Sequence, residues 1–128
     1  MTREELPEHH QSALRSIAAE DLTAEKIAGA AMRGDEFALD VFHRMGVYLG
    51  VAMANLVNIF NPEMIVIGGG VSAAFDLFAE TARKEVLQRA FPVPAKRCQI
   101  ARTECGDDAG LLGAAWLALQ GQGVGCWV

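Results

Sequence analysis

Three consecutive glycines, Gly68, Gly69 and Gly70, follow the apolar run Met64 to Ile67 and precede Val71 and Ser72. That order can receive a phosphorylated ligand. Glycine lets the backbone approach an anion closely and adopt positive φ. A helix start beyond it offers unpaired N–H groups and the positive end of a dipole. Ser72 stands where it would cap such a helix. The run Gly68 to Ala73 also fits G-x-G-x-x-A, the dinucleotide fingerprint. That fingerprint calls for an acid about 20 residues on, ending the second strand, to hold a ribose hydroxyl. Here the second candidate strand ends near Glu104, and the position about 20 residues on falls near Gln88, in a helical pattern. A purely architectural role, letting the next helix pack on a sheet, fits the same glycines.

Other reactive side chains point to no chemistry. Cys98, Cys105 and Cys126 are odd in number and lack paired spacing, so neither a disulfide framework nor a zinc knuckle is expected. Reduced thiols of a cytosolic protein are the expectation. His9 and His10 lie among acids and Gln11 and read as solvated, and His43 reads as a helix-surface residue. Asp35, Asp107 and Asp108 each stand before a helical pattern and read as caps. No catalytic residue and no metal ligand is assigned.

The elements that position the glycine turn follow from periodicity and punctuation. The chain has 128 residues, 52% of them apolar, which suits one folded domain and excludes a disordered chain. A formal net charge of −5 argues against broad nucleic-acid binding, which needs a basic face. The polar first 20 residues do not read as a signal peptide. Residues 1–20 suggest a modest helix with Leu6, Leu14 and Ile17 on its apolar side. Thr23 opens a second helix that Gly34 ends. Asp35 opens a third, from about Glu36 to Phe60, apolar nearly all round from Met45 onward. That apolar stretch falls short of the roughly 20 residues that span a bilayer, so burial on most sides is expected. Gly46 and Gly50, four apart, suggest close approach of a neighbour. Asn61-Pro62 stops the helix. After the Met64 strand, Phe75, Phe78, Ala79, Ala82 and Val86 repeat at helical spacing. Phe91 to Pro94 reads as a loop, Cys98 to Thr103 as a second strand, and Ala109 to about Gln120 as a last helix that Gly113 lets pack closely.

The predicted fold class is α/β: two parallel strands joined by a right-handed crossover and packed with about five helices. Parallel sheets usually have more strands and two covered faces, so the chain reads as part of a larger fold. Residues 1–120 form the predicted unit, with 1–34 a helical lead-in and 35–120 an α-β-α-β-α unit; 121–128 are a flexible tail.

Several pieces, in order over about 90 residues, resemble the C-terminal part of the ROK family, which contains bacterial glucokinases, other sugar kinases and related repressors. They are Ala30 to Asp35, Tyr48-Leu49-Gly50, Asn55 to Glu63, Ile65 to Ser72, and Gly106 to Ala115. The resemblance implies the actin-like ATPase fold, with two lobes built on ribonuclease-H-like sheets and ATP in the cleft between them. It makes this chain a partial C-terminal lobe. It places Gly68, Gly69 and Gly70 beside the adenosine and phosphate portion of ATP, with Val71 and Ser72 following. Mg2+ and a hexose substrate belong to the intact enzyme. The family's Asp-x-Gly-Gly-Thr phosphate loop, its Asn-Asp catalytic segment, its Glu-Gly-His sugar segment and its zinc-binding cysteine run are not in this sequence. The chain alone is therefore expected to show no kinase turnover. A cytoplasmic homodimer is expected, with no membrane and no direct nucleic-acid contact. Two alternatives stay open: the same lobe of a ROK repressor, and an interaction module that binds no nucleotide.

Overall fold

The computed structural model describes residues 12–120. Local signals set most element boundaries. Helix α1, Ala24–Met32, begins at Thr23, whose hydroxyl accepts the Lys26 N–H at 3.3 Å. Gly34, at φ 88°, turns the chain into the next helix. Helix α2, Glu36–Phe60, is capped by Asp35, which accepts the Ala38 N–H at 3.0 Å. The same carboxylate accepts from the Ser12 hydroxyl at 2.9 Å and the Ala13 N–H at 2.8 Å, tying the lead-in to the helix start. Asn61, at φ 47°, ends α2 in the left-handed region just before Pro62.

Strand β1, Met64–Ile67, lies parallel to β2, Gln99–Arg102, with Met64 opposite Gln99 and Ile67 opposite Arg102. Helix α3, Phe75–Arg89, and the short α4, Pro92–Arg97, form the crossover, and α5, Ala109–Gln120, follows β2. The described residues therefore form a helix-rich α/β unit of two parallel strands and five α-helices. Its centre is the α2–α3 contact. A Cβ at Gly50 would lie 2.5 Å from Glu85 Cβ and 2.8 Å from the Ala82 carbonyl oxygen, and one at Gly46 would lie 2.8 Å from the Phe78 carbonyl oxygen. The expected close approach is thus found, and its partner is α3. Phe78, Leu14 and Val57 are the largest fully buried side chains.

Five expectations need correction. From residue 12 on, the expected lead-in helix is replaced by two 3-10 turns, Ala13–Ser16 and Ala19–Asp21; residues 1–11, with Leu6, lie outside the described residues. Ser12 and Ser16 bond nearby backbone groups, an alternative that competes with a helix. Phe91 to Pro94 is not a loop but the start of α4, because Pro92 and Pro94 occupy a first turn, whose N–H groups have no helical acceptor. Helix α2 is not buried on most sides, since Tyr48, Ile59 and Phe60 are exposed: the helices packed on it, α3 above all, cover only part of its surface. Strand β1 is covered on one face only, by the helices, and Met64 and Val66 on the other face are half-exposed. Helix α5 leaves Leu111, Trp116 and Leu119 exposed, and no atom lies within 4 Å of a Cβ placed at Gly113, so the close packing expected there is not found.

By length and composition α2 could cross a membrane. It also carries Phe37, Ala38, Phe42, Met53, Ala54 and Val57 into the core, which is how a core helix is built.

Candidate functional site

Because β1 and β2 are parallel, both carboxyl ends emerge at one edge of the sheet, the edge where open α/β sheets bind ligands. The Thr103 N–H donates to the Ile67 carbonyl at 2.8 Å, carrying the ladder one residue past the strands. Gly68 lies against Thr103, with 3.6 Å between a Cβ built there and Thr103 Cγ2. Gly69 holds φ 70° and ψ −170°, a conformation for which glycine is suited. A Cβ at Gly69 or Gly70 would meet no atom within 4 Å. Internal packing therefore does not require glycine at either position. Gly69 is required by its backbone angle, and both leave the main chain open to an approaching group.

Beyond the glycines the chain departs from expectation. Gly70–Ala74 is a 3-10 turn, closed by the Ser72 N–H on the Gly69 carbonyl at 2.9 Å. Helix α3 begins only at Phe75, and its N-cap position, Ala74, supplies no side-chain bond. Ser72 is therefore not the helix cap. It is 6% exposed inside the turn, and its carbonyl accepts the Phe75 N–H. The dipole of α3 is displaced from Gly68 and Gly69 by the length of that turn, so a group approaching these glycines would meet the backbone of the turn itself.

The second strand brings the Gly106–Asp108 turn against the Gly70–Ala74 turn. The Thr103 hydroxyl accepts the Cys105 N–H at 3.2 Å, and the Asp108 N–H donates to the Cys105 carbonyl at 3.2 Å. Asp108 directly precedes α5; the side chain of Asp107 lies outside the described residues, so its reading as a cap is not addressed.

Next to the glycine turn lies a cleft of about 580 Å³. Gly70, Val71 and Ala73 form one wall, Ala28 and Met32 of α1 another, and Met45 of α2 contributes to the lining. Glu25 is the one charged residue among those lining it. An apolar cleft beside an open main chain suits a ligand with a flat apolar part and a polar part. The glycine side of this site is visible in the sequence. The α1 side is not: Ala24, Ala28 and Met32 recur at a spacing of four, which reads as an ordinary apolar helix face.

A second cavity, about 470 Å³, is lined by residues including Arg83, Lys96 and Cys98. The Arg83 Nη2 donates to the Ile100 carbonyl at 2.9 Å, and its guanidinium lies 5.7 Å from the centre of the Phe75 ring. Burial pushes the Cys98 thiol up, against a weaker opposing contact from the Ile65 backbone, so this sulfur is poorly disposed to react as a thiolate. Cys126, His9 and His10 lie outside the described residues. His43 sits on the α2 surface, as expected, with its Nδ1 3.2 Å from Thr81 Oγ1.

A profile of the ROK family matches residues 8–121. The glucokinase of Halalkalibacterium halodurans is 42% identical over 99 residues, a stretch that takes in 77% of this chain and 30% of that protein. The DNA-binding transcriptional repressor Mlc of Escherichia coli is 30% identical over 106 residues, covering 83% of this chain and 26% of the repressor. Among solved structures, a protein of Cytophaga hutchinsonii described as a sugar kinase superposes with a TM-score of 0.83 at 34% identity, over 92% of this chain and 39% of that one. A ROK family glucokinase from Streptomyces griseus, solved with glucose and AMPPNP, superposes with a TM-score of 0.74 at 27% identity, over 93% of this chain and 39% of that one. The chain thus spans 26–39% of the length of these relatives. Its fold is that of part of an actin-like ATPase, shared with ROK sugar kinases. The match over nearly all of its length, together with the parallel pair of strands running into the glycine turn, makes the chain a member of the ROK family.

Proposed function

We propose that Gly68, Gly69 and Gly70, with Val71 and Ser72, form part of the adenosine-side wall of an ATP site in a glucokinase-like sugar kinase. The intact enzyme would move the γ-phosphate of ATP to a hexose hydroxyl. The observation that carries this is the open main chain at Gly69 and Gly70 beside the apolar cleft to α1. The cleft would take the base, and the turn would take the ribose and phosphate side. The glucokinase solved with glucose and AMPPNP supports ATP as the nucleotide. Phosphoryl transfer also uses a divalent cation. The sequence holds none of the family's phosphate-loop, Asn-Asp or sugar segments, so in this reading the cation and the catalytic groups come from the rest of the intact enzyme. The part of this chain in the reaction would be binding and orientation. A cytoplasmic homodimer belongs to the same proposal.

The similarity to Mlc favours a second reading, in which the same lobe serves a repressor. Nucleotide binding separates the two. In a full-length protein carrying this segment, Gly69→Val would force a β-branched residue into positive φ and place its methyls where the nucleotide passes. Calorimetric titration should show a loss of ATP affinity of at least about tenfold with hexose affinity retained. Equal loss of both would indicate misfolding. No loss would take the glycines out of the site, and no ATP binding to either form would favour the repressor reading.

A further inference from the structure

We propose that the cavity between α3, α4 and the start of β2 binds a phosphate monoester carrying a small apolar group. One continuous stretch, residues 83–100, builds it, so its walls do not depend on what precedes or follows that stretch. It lies where β2 begins, at the end of the sheet away from the glycine turn. Its volume, about 470 Å³, is that of a small-molecule site. Its floor is apolar, since Val86, Ala95 and Ile100 are buried. The chain has a formal net charge of −5, yet the charged residues lining this cavity, Arg83 and Lys96, are both cations.

Neighbouring cations are engaged elsewhere. Lys84 pairs with Glu80 at 3.7 Å, Arg89 with Glu85 at 2.6 Å and Arg97 with Glu63 at 4.0 Å. None of these acids lines the cavity, and among the described residues no acid pairs with Arg83 or Lys96. Arg83 is also held in place. Its Nη2 donates to the Ile100 carbonyl at 2.9 Å, and its guanidinium stands 5.7 Å from the centre of the Phe75 ring. A guanidinium has more donors than that bond uses. The Gln99 N–H bonds the Glu63 carbonyl across the ladder at 2.9 Å, so the next residue, Ile100, turns its N–H to the outer side, where the cavity lies. A guanidinium fork, an ammonium and an edge N–H above an apolar floor suit an anion on an apolar body. Carboxylate and phosphate both match the fork. A phosphate monoester, close to doubly charged at neutral pH, also balances both cations, which a single carboxylate does not. The site stands independently of the nucleotide reading.

Calorimetric titration of a full-length protein carrying this segment, with phenyl phosphate as the probe, tests the proposal. Saturable binding with a Kd below about 1 mM is expected. Benzoate, with its single charge, and inorganic phosphate, with no apolar group, should each bind at least about tenfold more weakly. Lys96→Gln alters an exposed side chain and should weaken phenyl phosphate at least about tenfold. Lys84→Gln removes a cation outside the cavity and should leave the affinity unchanged. Arg83→Gln should weaken binding at least as much as Lys96→Gln; should it fail to fold for want of its bond to Ile100, Lys96→Gln decides alone. The proposal is overturned if phenyl phosphate shows no saturable binding, or if benzoate or inorganic phosphate binds as tightly. It is equally overturned if Lys96→Gln or a folded Arg83→Gln has no effect, or if Lys84→Gln weakens binding as much as Lys96→Gln.

Discussion

Asp35 shows how one carboxylate can serve structure alone. Burial by itself would raise its pKa, but the Ala38 and Ala13 N–H groups, the Ser12 hydroxyl and the Phe37 N–H hold it below the usual 3.8. A lowered folded pKa stabilises the fold fully above the unfolded value. That contribution is lost as pH falls through the folded value. Asp35→Ala should therefore cost about 1–2 kcal/mol near neutral pH, as for a lost helix cap. The gap between variant and parent in urea melts should narrow below about pH 4 as the carboxyl protonates. A gap that does not change with pH would mean that the charge contributes nothing. The cap itself is legible in the sequence, because Asp before a helical pattern is a local signal. Its bonds to Ser12 and Ala13 are not, because they join residues more than 20 positions apart.

At the scale of elements, glycines of one residue type have different physical tasks. Gly50 lies in the α2–α3 crossing with no room for a methyl, whereas Gly113 on α5 has open space around it. Alanine in a helix ordinarily gains about 0.5–1 kcal/mol over glycine. Gly113→Ala should show that gain. Gly50→Ala should instead destabilise by about 1–3 kcal/mol through overpacking. Chemical denaturation of both variants checks the pair, and a stabilised Gly50→Ala would mean that the two helices do not meet as described. The spacing of Gly46 and Gly50 makes the close approach legible, and so are the ends of α2, set by Asp35 and Asn61-Pro62. Helix α4 is not, because Pro92 and Pro94 read as breakers unless they fall in a first turn. Nor is the exposure of Tyr48, Ile59 and Phe60, which depends on what packs against α2 and not on α2 itself.

For the whole molecule, the fold class is legible because strand, glycine turn, crossover and second strand follow one another in the chain. Half of the candidate site is legible for the same reason. Its other half, Ala28 and Met32, comes from a helix about 40 residues earlier and is brought in by tertiary packing, to which no local motif points. In the proposed ATP site the base would lie between α1 and the Gly70–Ala74 turn. Photolabelling a full-length protein carrying this segment with 8-azido-ATP, followed by peptide mapping, tests it most directly. The predicted result is label on Ala24–Met32 or Gly70–Ala74, suppressed by excess ATP and untouched by glucose. ATP-protected label confined to other parts of the protein would contradict it.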